Sequence, residues 1–266
     1  MILGFLGVGV MAGAILRAVV REGFVPPEDC LVYDIVPAAM EAVRPLGVRL
    51  AGSAADVAAA ADVLQLGTKP QDIEALLRAI GPALADRDPL ILSIAAGKSL
   101  ETLAAALPYA PRLARLVPNV NATVGESITA YCPNERARDA ETPAFLARYC
   151  GCFGRAVPLE EKQVPAFFAL AGAGPAYAYL FLDEIARAGV ALGLRKDLAL
   201  EIAAQMVLGS AKKVQAGEAH PYALIDQVCS PGGITIAGLE ALREHGFITA
   251  VDKAFRAVVR RDKELG

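Results

Sequence analysis

The segment Leu3-Gly4-Phe5-Leu6-Gly7-Val8-Gly9-Val10-Met11-Ala12 constrains this chain more than any other. It reads as a strand, a tight turn and the start of a helix. Gly7 permits the turn, Gly9 lets a ligand approach the backbone, and Ala12 is the small residue where the helix packs on the strand. Free N–H groups at such a helix start suit a pyrophosphate. The pattern predicts a dinucleotide-binding βαβ unit.

An acid follows 25 residues after Gly9, as Asp34 at the end of Leu31-Val32-Tyr33-Asp34. A carboxylate there accepts from both adenosine ribose hydroxyls and repels a 2′-phosphate, which favours NADH over NADPH. Its other use is to cap the helix expected near Pro37.

The first half alternates β-branched runs with Ala/Leu-rich stretches, as a parallel sheet with crossover helices requires. Strands are predicted at 2–6, 30–34, 48–50, 62–66, 90–94, 113–117 and 127–131. Helices are predicted at 11–22, 38–45, 72–80, 101–107 and 135–150. Gly23 and Gly47 stand at expected helix ends and Ser99 at an expected start. Strand signals stop after Pro158, and a helical pattern runs from Glu160 through a long apolar segment to Leu192, then from Lys196 to Gln215 and on to the end. The expected fold class is therefore α/β: a Rossmann-type domain over 1–158, then an all-α domain over 159–266. The helical half has more apolar faces than a lone small bundle can bury, so it is expected to form a homodimer, with larger assemblies open.

Charge narrows the partners. The net charge is −3 with both signs interspersed and no basic stripe, which disfavours nucleic acid. Five scattered cysteines and two histidines form no ligand cluster, so no metal is expected, and the cysteine usage fits a reducing cytoplasm. The uncharged stretches Ile2–Leu16 and Val164–Leu182 hold glycines or prolines that argue against membrane spans.

Further motifs extend along the chain: Gly67-Thr68-Lys69-Pro70-Gln71, Ser93-Ile94-Ala95-Ala96-Gly97, Arg115-Leu116-Val117-Pro118-Asn119, Gly174-Pro175-Ala176-Tyr177, and Ser230-Pro231-Gly232-Gly233-Ile234-Thr235. Together the chain resembles pyrroline-5-carboxylate reductases, which reduce a cyclic imine to proline in the last biosynthetic step. The resemblance implies that Leu6, Gly7 to Met11, Gly67 to Pro70 and Ala95 to Gly97 line the NAD(P)H site. It implies that Val228, Ser230, Gly232, Gly233, Ile234 and Thr235 line a substrate pocket built partly by a partner subunit.

The last segment also argues for itself. Pro231 and two glycines lead into a helix near Thr235, exposing backbone N–H groups that suit a substrate carboxylate. Thr235 then offers a hydroxyl to an imine nitrogen as hydride reaches the adjacent carbon. The plainer alternative makes Thr235 a helix cap.

Departures from the family pattern fall at two places. Ala54 stands where the family commonly has Asn, in the loop expected before the fourth strand, and Asp34 where it commonly has a hydroxyl residue or Asn with a basic neighbour. Both lean toward NADH. Val120, Asn121, Ala173 and Cys229 differ on the nicotinamide and substrate side, which leaves room for a related cyclic imine. A β-hydroxyacid dehydrogenase would need a Lys on the long helix, but Val164–Leu182 has none and Lys162 precedes Pro165. A non-catalytic dinucleotide-binding regulator is the remaining alternative.

Overall fold

The structure is a computed structural model that describes every residue except Asp86, Glu218 and Gly266, and every other side chain except those of Lys263 and Leu265. Its strands are β1 (Leu3–Leu6), β2 (Cys30–Tyr33), β3 (Arg49–Leu50), β4 (Val63–Leu66), β5 (Leu90–Ser93), β6 (Arg112–Val117), β7 (Ser127–Pro133) and β8 (Gly154–Pro158). They form one sheet in the order β3-β2-β1-β4-β5-β6-β7-β8. All neighbours pair in parallel except β6 and β7. The strand order reverses between β1 and β4, and the crevice beyond their C-terminal ends is where such sheets bind ligands.

Residues of β1, β4 and β5 are buried throughout, so these strands read as continuous apolar runs rather than alternating ones. One core holds Phe5 of β1, with Ile15 and Leu16 of α1 (Val10–Arg21), against Tyr149 and Phe153. The other packs α3 (Ala54–Ala60), α4 (Ile73–Ala85) and α5 (Leu100–Ala105) against Leu64, Leu66 and Ile91. The buried Tyr149 hydroxyl donates to Gln65 Oε1 at 3.0 Å, so this polar pair inside the core is satisfied.

Several elements depart from expectation. Helix α3 lies in an Ala-rich stretch without apolar periodicity; it forms because Ser53 Oγ caps it, accepting from Asp56 N–H at 3.1 Å. Ala54 is therefore the first residue of a helix, and its placement in a loop is corrected. Helix α4 runs on through Pro82, with Leu84 buried beyond it. The 38–45 helix divides into α2 (Pro37–Glu41) and a 3-10 turn at Arg44–Leu46. The single helix expected over 135–150 is a 3-10 turn at Glu135–Ala137 followed by α6 (Thr142–Gly151). Asp139 causes the break: its Oδ1 accepts from the N–H groups of Glu141 and Thr142. Strand β8 was not anticipated, and β7 runs two residues further than expected.

Beyond Pro158 come a 3-10 turn at Glu161–Gln163, α7 (Val164–Phe167), a π-helical segment at Phe168–Gly172, and α8 (Gly174–Ala191), α9 (Lys196–Gln215), α10 (Pro221–Val228), α11 (Ile234–Glu244) and α12 (Phe247–Leu265). The chain forms two compact units, one over Met1–Gly172 and one over Ala173–Glu264. The stretch just after Pro158 belongs with the first, because Val164 is buried beside Val117, Ala130 and Cys132. In the second unit Ala186, Ala199 and Ala203 are buried, while Ile202, Met206, Leu208, Ile248 and many other large apolar side chains are exposed. The run Glu161–Ala191 is long and apolar enough, by length and composition, to cross a bilayer.

Candidate functional site

The glycine turn stands at the C-terminal end of β1. Gly7 has φ of +86°, and its N–H donates to Tyr33 O at 2.9 Å. Across the crevice Gly67 N–H donates to Leu6 O at 2.7 Å. These backbones meet so closely that a Cβ on Gly7 would lie 2.8 Å from the Gly67 carbonyl carbon. A Cβ on Gly67 would strike Ala12 Cβ and lie 2.5 Å from Gly7 O. Gly67 is thus a packing requirement of the turn. Leu6 takes part through its carbonyl, since its side chain lies in the core.

Gly9 faces the opposite situation: a Cβ there would meet nothing within 4 Å. It is the N-cap of α1, which has no side-chain cap and no acid in its first turn. The first-turn N–H groups, from Val10 and Met11 onward, have no intrahelical acceptor and open space beside them. This open, donor-lined cradle suits an anion such as a pyrophosphate.

Asp34 joins the turn directly. Its Oδ2 accepts from Val8 N–H at 2.7 Å and its Oδ1 from Val36 N–H at 2.8 Å. It caps no helix, because Val36 is the N-cap of α2 and has no side-chain partner there. The nearest basic residue along the chain, Arg44, is held by Glu41 at 2.7 Å.

The other expected cofactor residues follow β4 and β5. Thr68 Oγ1 is buried without a partner, Lys69 is exposed and Pro70 is half-buried. Ala95 is buried, its N–H donating to Ser93 Oγ at 3.3 Å, whereas Ala96 and Gly97 are exposed. Ser99 caps α5 as expected, accepting from Thr102 N–H at 3.0 Å. Lys98 Nζ lies 2.7 Å from Glu74, whose carboxyl it holds below the usual range.

Two features at this edge escaped sequence reading. Asn119, just past β6, donates from Nδ2 to Ala171 O at 3.0 Å, leaving its buried Oδ1 without a partner. Glu161 Oε1 accepts from both Arg115 Nη1, at 3.2 Å, and Leu100 N–H, at 2.7 Å. One carboxylate thus ties β6 and the start of α5 to the first turn after the sheet. A single acid in a polar stretch gives no signal of a partner 61 residues away.

In the helical unit, the expected substrate residues run from the last residue of α10 into the first turn of α11, all exposed except the half-buried Gly233. Val228 and Ile234 are exposed, Ser230 O accepts from Gly233 N–H at 3.0 Å, and Gly232 has φ of +65°. Gly233 is the N-cap of α11, with no side-chain cap and no acid in the first turn. Thr235 lies inside the helix with its side chain exposed, so the reading that makes it the cap does not hold. Lys162 is exposed and paired with Glu160 at 2.6 Å, in the turn before α7.

Comparisons with known proteins agree along the whole chain. The family description "Pyrroline-5-carboxylate reductase dimerisation" matches residues 161–265, and "NADP oxidoreductase coenzyme F420-dependent" matches residues 2–97. The pyrroline-5-carboxylate reductase of Escherichia coli is 36% identical over 99% of this chain and 97% of its own length. The solved enzyme of Streptococcus pyogenes is 35% identical with a TM-score of 0.86, covering 99% of this chain and 98% of that one. The Plasmodium falciparum enzyme, solved with NADP bound, is 26% identical with a TM-score of 0.87, covering 100% and 98%. With an open glycine turn, a Rossmann-ordered sheet and full-length identity of this degree, the chain belongs to the pyrroline-5-carboxylate reductase family.

Proposed function

We propose that this protein reduces 1-pyrroline-5-carboxylate to L-proline, with the sheet unit binding NAD(P)H and the helical unit dimerising and binding the imine. The observation that carries the reading is the uncapped start of α11, where the Ser230–Gly233 turn precedes an exposed Thr235. Its free N–H groups match the substrate carboxylate. The Thr235 hydroxyl hydrogen-bonds the ring nitrogen and helps deliver its proton. The bound nicotinamide supplies the hydride to the adjacent carbon. An iminium is already a good hydride acceptor, so orientation and exclusion of water are the main demands on the protein. Gly7 to Met11 hold the pyrophosphate, with the Leu6 carbonyl accepting from Gly67 N–H to tie the turn together; Gly67 to Pro70 and Ala95 to Gly97 line the rest of the cofactor.

NADH is the preferred cofactor in this reading. Asp34 presents a carboxylate where a 2′-phosphate would stand, no basic residue lies between it and Arg44, and Arg44 is engaged by Glu41. Ala54 adds no polar contact on that side. The large apolar side chains of the helical unit support a homodimer through its helices, since a soluble unit seldom exposes so many. The enzyme is assigned to the cytoplasm, with neither membrane nor nucleic-acid partners.

The deciding assay follows oxidation of NADH and NADPH in parallel with 1-pyrroline-5-carboxylate. Faster turnover with NADH is expected. Cofactor binding without oxidation would overturn the reductase reading, and equal or faster turnover with NADPH would overturn the NADH preference. Lys162, tied to Glu160 before α7, offers no support for alcohol oxidation at the long helix.

A further inference from the structure

We propose that Asp34 is a positioning residue that braces the pyrophosphate turn before any cofactor arrives, beyond its part in choosing between NADH and NADPH. The proposal rests on the reading that this turn binds the dinucleotide. Val8 lies between Gly7, in a left-handed conformation, and Gly9, which has open space beside it. Neither glycine has a side chain to hold the loop, and Val8 is buried, so its N–H depends on a protein acceptor. Asp34 Oδ2 is that acceptor at 2.7 Å. The second bond, from Val36 N–H to Oδ1 at 2.8 Å, fixes the carboxylate's rotation.

An ionised carboxylate offers about four lone-pair sites. Two are taken by these amides, which leaves one on each oxygen for the adenosine ribose hydroxyls. One group therefore serves as brace and as reader. Replacing Asp34 to admit a 2′-phosphate also releases the Val8 amide, so the change weakens binding through the turn whichever nucleotide is offered.

The test separates brace from reader with a ligand that the reader cannot touch. Dissociation constants for NADH and its adenosine 2′,3′-dideoxy analogue are measured with the wild type, Asp34→Ala and Asp34→Asn. Hydrogen exchange at the Val8 amide is followed in the cofactor-free proteins. If Asp34 only reads the ribose, the variants bind the dideoxy analogue as the wild type does. The brace predicts binding of that analogue about tenfold weaker in Asp34→Ala, as for loss of one charge-assisted hydrogen bond, and a smaller loss in Asp34→Asn, whose amide oxygen still accepts from Val8 N–H. It also predicts slow Val8 exchange in the wild type, lost in Asp34→Ala. Unchanged or tighter analogue binding, or a Val8 amide already unprotected in the wild type, overturns the proposal. A wild type that binds neither NADH nor NADPH would instead overturn the cofactor reading, and Val8 exchange would still decide the brace.

Discussion

Ala12 and Gly67 compete for one packing position: the methyl of Ala12 fills the space a Cβ on Gly67 would need. The third small residue of the glycine turn, on α1, therefore has its counterpart just past β4, and the two fix how closely the helix approaches that loop beneath the candidate phosphate site. Gly67→Ala should destabilise the protein by about 1–3 kcal/mol through overpacking. It should also raise the dissociation constant for NADH at least tenfold. Thermal unfolding and cofactor titration check both, and unchanged affinity would mean that the turn tolerates displacement.

Thr235→Ala is expected to lower kcat about 10²-fold while leaving the cofactor dissociation constant close to the wild type, because the hydroxyl serves the imine nitrogen. Thr235→Ser should retain most of the activity. Steady-state kinetics with saturating cofactor make the comparison; an unaltered kcat in the alanine variant would remove Thr235 from the chemistry.

Asp139 sets an acid limit on the start of α6. Hydrogen bonds from Thr142 N–H and its hydroxyl, followed by Arg112 at 2.8 Å, hold its carboxyl well below the usual carboxylate range. A carboxyl lowered in the folded state stabilises above its unfolded value of about 3.9 and loses that contribution as pH falls below it. Asp139→Asn should therefore be less stable than wild type at pH 7, with the gap constant down to about pH 4 and narrowing below it. Denaturant midpoints on both sides of that pH test it, and a gap that fails to narrow below it would refute the assignment.

Thiol reactivity should follow burial. Burial pushes the Cys30 thiol up to about 12 and raises Cys150 further in the same direction, whereas Cys229 is half-buried beside Ser230. Iodoacetamide at pH 8 should label Cys229 first in the native protein. Peptide mapping that finds Cys30 or Cys150 modified at a similar rate would contradict the packing of that core.

A charge placed on the helical unit's apolar surface should break assembly. Ile202 of α9 is 48% exposed in the single chain. Ile202→Asp should shift the protein from dimer to monomer or aggregate in sedimentation velocity, with activity falling alongside. A fully dimeric, active variant would place the interface elsewhere.

Sequence reading went far on the sheet because β1, β4 and β5 announce themselves as buried apolar runs between glycines. Helix α9 was legible to its ends, Lys196 and Gln215. It faltered where local chemistry overrides periodicity. The cap from Ser53 makes a helix of an alanine stretch, and Asp139 divides another in two. The site divided in the same way. Gly7 and Gly9 are legible because the left-handed φ of the first and the open space beside the second ask for glycine. The clasp from Asp34 to Val8, the orphaned Asn119 oxygen and the Glu161 bridge depend on side chains meeting across long stretches of chain, which spacing does not encode.

The small interior of the helical unit, where Pro175, Ala186, Ala199 and Ala203 are the buried residues among those described, has a thermodynamic consequence. If its outward leucines and isoleucines find their cover on a second copy, folding and association become one equilibrium, and protein concentration enters the stability as a ligand concentration would. Dilution alone would then lower the melting temperature. A copy carrying an inactive glycine turn but an intact helical surface would still pair with wild-type chains and stabilise them by the same mass action.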